Sequence, residues 1–345
     1  MAAYTSWRRL LVAAGSVAVV VVAFAFVLPR LASYGEVWRS LQRLSWPWIA
    51  ALVASTAVNV LTFALPWMVA LPGLRFLNAL SLTQASTAVS LVVPGGAPVG
   101  MAASFAMLRS WGLAGRSAGL AVALTGIWSQ LSTFLFPLMA AGLLAVTGAV
   151  SGQLEVTAIT GVVLVAAVFV LLAAALLYPA AAYRIGEGAA GIVSRLRRLV
   201  RRPPVVWGGA ALVRFRAESL DLVRHRWAVL TIATAANQLT GFVMFELSLR
   251  AVGVSYGQVS PAESFAGWSV ARLLSSLPIT PGGIGVVEIG MAGMLIGFGG
   301  PSGSVAAAVL IYRFLSIVPT ILLGLVATAT WRLQTPRLSR PPTRF

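Results

Sequence analysis

Long apolar runs, separated by short breaks that carry arginine, make up most of this chain. Uninterrupted runs cover residues 10–28, 46–71, 117–146, 156–178, 227–252 and 303–330. Each has the length of a helix across a hydrocarbon core, which takes roughly 20 residues. Two further apolar stretches, 76–110 and 258–298, are broken in the middle by proline and glycine. Strict apolar–polar alternation is absent, and inside a bilayer a helix satisfies its own backbone groups. The pattern predicts an all-α, polytopic helical membrane protein, with about six full spans and two Pro-Gly-broken re-entrant hairpins. All of 1–345 reads as a single integral membrane domain.

The longest hydrophilic stretch, 183–226, divides this domain. It holds ten arginines, and Ile192, Val193, Leu196, Leu199 and Val200 recur in it at near-helical spacing. An amphipathic, cationic segment of this kind is expected along the cytoplasmic surface. With that stretch inside, 227–252 runs outward, 258–298 opens on the outer side and 303–330 returns inward. The breaks at 148–153 and near Ser255 and Gly300 then lie outside without arginine, whereas Arg75, Arg109 and Arg116 lie inside. That matches the positive-inside rule; the break 30–45, with Arg30, Arg39 and Arg43, goes against it. Both termini are then cytoplasmic, in a multi-pass protein of the cell membrane. The first apolar run exceeds the usual signal-peptide core of about 7–15 residues, so it reads as a retained span. The tail 331–345, with Pro336, Pro341 and Pro342, reads as a basic, disordered end.

The two broken stretches resemble each other. Val93-Pro94-Gly95-Gly96-Ala97-Pro98-Val99-Gly100 precedes a small-residue run ending Trp111-Gly112, and Thr280-Pro281-Gly282-Gly283-Ile284-Gly285-Val286-Val287 precedes one ending Phe298-Gly299. With the Pro-Gly-Gly triplets aligned, no gap is needed and the aromatic-Gly pairs coincide. Repeat one then covers about 46–150 and repeat two about 227–330, and the topology places their hairpins on opposite faces, an inverted repeat of the kind secondary transporters use. Proline lacks an N–H and glycine reaches backbone conformations closed to other residues, so each triplet breaks its helix. The half-helices that follow are too short to cross the core, and their N-termini suit an anionic group.

Composition narrows the chemistry. Of the 345 residues 59% are hydrophobic and 10% are charged, too few charges to cover a water-facing surface. There are 25 basic residues, all arginine, against 8 acidic ones, a net +17. Because the arginines sit in breaks between spans, the expected partners are membrane lipids with anionic headgroups rather than nucleic acid. No cysteine is present and the single histidine, His225, lies in the arginine-rich stretch. Thiolate chemistry and histidine-based metal sites are thereby disfavoured, and no catalytic residue, metal or cofactor is expected.

Ionisable groups in membrane segments are costly and normally face a partner. Glu246, Glu263 and Glu288 lie in repeat two, with Arg250, Arg272 and Arg313. Glu246 and Arg250 stand four apart, in the favourable order for a structural pair. Arg272, Glu288 and Arg313 are expected at similar depth, so that Glu288 either holds Arg272 or meets a cationic headgroup moiety. The hairpin of repeat one has no acid; its polar groups are Gln84 and Arg109, with Gln130 nearby. The candidate substrate-binding set is therefore Pro94, Gly95, Gly96, Arg109, Arg272, Pro281, Gly282, Gly283, Gly285, Glu288 and Arg313.

The run Leu277-Pro278-Ile279-Thr280-Pro281-Gly282-Gly283-Ile284-Gly285-Val286-Val287-Glu288, with Tyr312-Arg313 further on, resembles the C-terminal signature of a membrane family. That family is the lysylphosphatidylglycerol synthase transmembrane region, also called flippase-like or UPF0104. Met107-Leu108-Arg109 before Trp111-Gly112 is similar to its earlier motif, and the resemblance covers roughly 10–330. It implies a helical domain that moves aminoacylated or other lipids between leaflets, followed in some members by a soluble aminoacyl-transferase. The chain ends after its basic tail, so lipid synthesis by this chain is not expected. Two other readings stay open: a secondary transporter of a small anionic solute, and a non-transporting membrane partner of a lipid-modifying enzyme.

Overall fold

The structure of the protein, a computed structural model, describes residues 44–93, 96–146, 178–199, 203–206, 208–276 and 281–331, with isolated positions besides. The expected span 10–28, nearly all of 156–178, the tail beyond 331, and Pro94, Gly95 and residues 277–280 lie outside the described residues. Every described element is helical. In chain order they are α1 (Trp46–Thr62), α2 (Leu65–Ala70), α3 (Phe76–Val92), α4 (Gly96–Ser110), α5 (Gly115–Val146), α6 (Pro179–Leu199), α7 (Gly209–Ala251), α8 (Pro261–Ser276), a 3-10 turn (Pro281–Gly283), α9 (Val286–Gly297) and α10 (Ser302–Thr330).

Four helical segments are long and apolar enough to cross a membrane: Trp46–Ala70, Gly115–Val146, Arg226–Ala251 and Ser302–Thr330. They coincide with four of the six predicted spans. The first of them bends between α1 and α2, where Pro66 cannot supply the N–H that would continue the ladder. The hydrophilic stretch 183–226 is helical over most of its described length, and α7 runs unbroken for 43 residues, from Gly209 through the Arg-rich segment into the membrane span. No proline lies between Gly209 and Ala251, and arginine, glutamate and leucine are good helix formers, so nothing local ends the helix at the polarity boundary. Its start is capped by the Glu187 carboxylate of α6, which accepts the Gly209 N–H at 2.8 Å.

Both broken stretches form hairpins. α3 packs on α4, and α8 packs on α9. Their outer ends are built alike. Gly112 and Gly299 have φ of 86° and 103°, and Leu113 N–H to Leu108 C=O at 3.2 Å matches Gly300 N–H to Leu295 C=O at 3.0 Å. These are left-handed helix stops, which glycine takes without steric cost. Packing between the halves is reciprocal: α3 of the first lies on α10 of the second, while α8 of the second lies on α5 of the first, and α1 lies on α7.

The two hairpin bases sit at opposite ends of α10. Its first residues follow the Phe298-Gly299 turn directly, whereas at its C-terminal end the Trp331 carbonyl accepts the Trp111 indole N–H at 3.4 Å. Between them lie 29 residues, about 44 Å of helix at 1.5 Å per residue. The tips meet inside: a Cβ on Gly282 would come within 3.3 Å of the Leu91 carbonyl, two residues before Val93 begins the other break.

α3 and α10 approach each other closely. A Cβ on Gly324 would stand 2.4 Å from the Ala88 Cβ and 2.6 Å from the Gln84 carbonyl. Membrane helices pack through small residues of this kind. Gly324→Val is expected to push α10 off α3 and destabilise the fold by about 1–3 kcal/mol, the usual cost of overpacking. Unfolding in detergent at an unchanged midpoint would show that the helices are not in such close contact.

Candidate functional site

Repeat two closes its break with an ion pair. Glu288 and Arg313 are 5% and 7% exposed, and Arg313 Nε donates to Glu288 Oε1 at 2.5 Å. The other carboxylate oxygen accepts the Gly285 N–H at 2.7 Å, which caps the start of α9. The other arm of the fork donates from Arg313 Nη2 to the Gly282 carbonyl at 2.9 Å. One arginine and one glutamate thus fix both sides of the Pro-Gly-Gly turn. That turn needs its glycines, since Gly282, Gly283 and Gly285 have φ of 61°, 69° and 88°.

Among the described residues the first hairpin has no such brace. With the triplets superposed, Met101 stands where repeat two has Glu288, and Gly126 stands where it has Arg313. These two positions are also neighbours in the structure, where a Cβ on Gly126 would lie 3.2 Å from the Met101 methyl. Two charged side chains are replaced by a thioether and a hydrogen atom, and a cavity of about 250 Å³ opens there, with Met101 and Gly126 both in its wall.

The cavity is polar and carries a single charge. Among the described residues its lining holds eleven uncharged polar side chains, one arginine and no carboxylate. Thr83, Ser86, Thr87 and Ser90 come from one face of α3, at the spacing i, i+3, i+4, i+7 that aligns them on a helix. Thr125 and Ser129 of α5 and Gln238 of α7 face them. The arginine is Arg272 of α8. Its Nη2 donates to the Gln238 side-chain carbonyl, and its guanidinium carbon lies 6.0 Å from the Trp268 ring. Among the described residues Arg272 Nε has no partner, and neither does the hydroxyl of Thr234, a cavity residue only 3% exposed. Ala97 and Gly100 also line the cavity, which brings the positive end of α4 to it.

The candidate residues therefore fall into two groups. Arg272 is the cavity cation. Gly282, Gly283, Gly285, Glu288 and Arg313 form the braced turn with Pro281, and Glu288 is bound to Arg313 rather than to Arg272. Gly96, at φ 49°, begins α4. Arg109 is exposed at the far end of α4, where its Nη1 donates to the Leu113 carbonyl; it does not line the cavity. Glu246 and Arg250 form the expected structural pair at 2.6 Å. Sequence reasoning missed the hydroxyl face of α3. Its signal was present in the spacing of Thr83, Ser86, Thr87 and Ser90, hidden because hydroxyls in apolar helices are ordinary.

Fold and site together define a multi-pass helical membrane protein with two helical hairpins, one closed by a buried ion pair and the other lining a cavity that holds an arginine. The chain belongs to the lysylphosphatidylglycerol synthase TM region family, whose model matches residues 11–324. It is thus a membrane protein of a family linked to lipid biology. No curated protein matches the chain.

Proposed function

We propose that this protein moves a phospholipid or related lipid between the leaflets of the cell membrane, holding the headgroup phosphate in the cavity at Arg272. The observation that carries this reading is an arginine with an unpartnered N–H in a hydroxyl-lined cavity that has no carboxylate. A planar guanidinium suits a phosphate, and hydroxyls substitute for its water shell. The opposed hairpin bases support reading the halves as an inverted repeat whose breaks dip in from opposite faces, the build in which substrate meets half-helix ends at mid-depth. The lipid-linked family favours a lipid over a soluble anion as cargo. The Arg-rich α6 and the N-terminal part of α7 would lie on the cytoplasmic side, against anionic headgroups, with both termini on that side.

Leaflet exchange tests this. The purified protein in phosphatidylcholine vesicles containing trace chain-labelled phosphatidylglycerol is expected to expose inner-leaflet label to an external quencher well above the protein-free rate. Thr87→Trp, which fills the cavity, should return the rate to that baseline. Exchange no faster than in protein-free vesicles, or unimpaired in Thr87→Trp, would refute the reading.

A further inference from the structure

We infer that the cavity selects a phosphodiester headgroup whose remaining polar groups are neutral hydroxyls, and discriminates against headgroups carrying an ammonium. This rests on the lipid-translocation reading and specifies its cargo.

The charge inventory points one way. No acidic residue occurs anywhere between Glu36 and Glu155, so the α1–α5 half of the cavity wall has no anion to offer. The three acids of the membrane part of repeat two are all engaged elsewhere. Glu288 is held by Arg313 and the Gly285 N–H. Glu246 binds Arg250 with one oxygen and accepts the Ser264 hydroxyl with the other. Glu263 accepts both the N–H and the hydroxyl of Ser260, at 2.7 and 2.8 Å. A headgroup ammonium brought into this cavity would therefore lose its water, find no carboxylate and stand near Arg272. A like charge nearby in a partly enclosed site is repelled more strongly than at an open surface. An aminoacyl ester of a lipid meets the same obstacle, since its amine is cationic too.

Neutral hydroxyls meet the opposite situation. Thr83, Ser86, Ser90 and Thr125 already donate to backbone carbonyls of their own helices, which leaves their oxygens free to accept from a ligand hydroxyl. Thr234, buried and without a partner, has both functions available. The phosphate takes the single cation and the polyol takes the acceptors. One arginine balances one diester charge. Volume agrees: about 250 Å³ holds a phosphoglycerol-sized head and leaves the acyl chains in the bilayer. A glycerophosphodiester could equally come as a free solute, and the lipid is the source proposed here.

Three measurements with the full-length protein decide this. In vesicles with chain-labelled phosphatidylglycerol, phosphatidylethanolamine or lysyl-phosphatidylglycerol in separate preparations, phosphatidylglycerol is expected to exchange at least tenfold faster than either amine-bearing lipid. Ser129→Asp, which adds a carboxylate to the wall, should narrow that ratio to about threefold or less. Equal rates for all three lipids in the wild type, or a faster rate for an amine-bearing lipid, would overturn the selectivity while leaving translocation standing. Native mass spectrometry from an equimolar mixture of the three lipids should show phosphatidylglycerol retained by the wild type and lost in Arg272→Ala. Retention without exchange would keep the selectivity and remove the translocation. Retention of an amine-bearing lipid would overturn the selectivity. Finally, radiolabelled glycerophosphoglycerol, the same head without chains, should not enter protein-containing vesicles; its uptake would overturn the assignment to a lipid.

Discussion

Arg313→Met is expected to lower the unfolding free energy by about 3–5 kcal/mol, the usual result of removing one partner from a buried ion pair. The Glu288 carboxylate would remain 5% exposed with only the Gly285 N–H to satisfy it, and the Gly282 carbonyl would lose its donor. Both sides of the Pro-Gly-Gly turn would loosen at once. The double variant Glu288→Met, Arg313→Met removes the uncompensated charge and should recover most of the loss, because apolar replacement of a whole buried pair is often close to neutral. Denaturant unfolding in detergent checks both. A single variant as stable as the wild type would mean that the pair does not hold the turn.

The second large effect is on exchange rather than stability. Arg272→Ala removes the only charge among the described residues of the cavity wall. A hydrogen bond to a charged group contributes about 1.5–3 kcal/mol, so headgroup capture, and with it leaflet exchange of phosphatidylglycerol, should fall roughly 10- to 100-fold. Arg272→Lys keeps the charge but not the planar fork and should fall between the two. Folding should change little, because Arg272 contributes one bond to Gln238 and a ring contact with Trp268. Exchange in Arg272→Ala at the wild-type rate would leave the cavity without a role. The two arginines thus separate cleanly: loss of Arg313 acts through stability, loss of Arg272 through rate.

Much of this was legible in the chain. Four described spans fall where the apolar runs put them, because length and hydropathy alone decide what crosses a bilayer. The first hairpin's helices end at Val92 and resume at Gly96, the second's break holds the Pro281–Gly283 turn, and the aromatic-glycine pairs end both second helices alike, since glycine is the default residue at a left-handed stop. The pairing of the charges was less legible. Spacing placed Glu288 near both Arg272 and Arg313 but gave no rotation about α8 or α10, and only the folded packing chooses Arg313. The continuity of α7 through its arginines was hidden because polarity marks where water begins, not where a helix ends. The cavity itself had a readable trace that single residues did not reveal. Alignment of the halves sets Met101 against Glu288 and Gly126 against Arg313, and an unmatched brace in one half of a repeat marks the space where something else can sit.

The orientation of the two hairpins is open to direct measurement, because the chain contains no cysteine. Single cysteines placed at Ser110, exposed at the base of the first hairpin, and at Tyr256, exposed beside the base of the second, can be probed with a membrane-impermeant thiol reagent from either side. If the breaks enter from opposite faces, Ser110→Cys should react only from the cytoplasmic side and Tyr256→Cys only from the outer side. Reaction of both from the same side would contradict the inverted arrangement, and with it the passage of a headgroup between the halves.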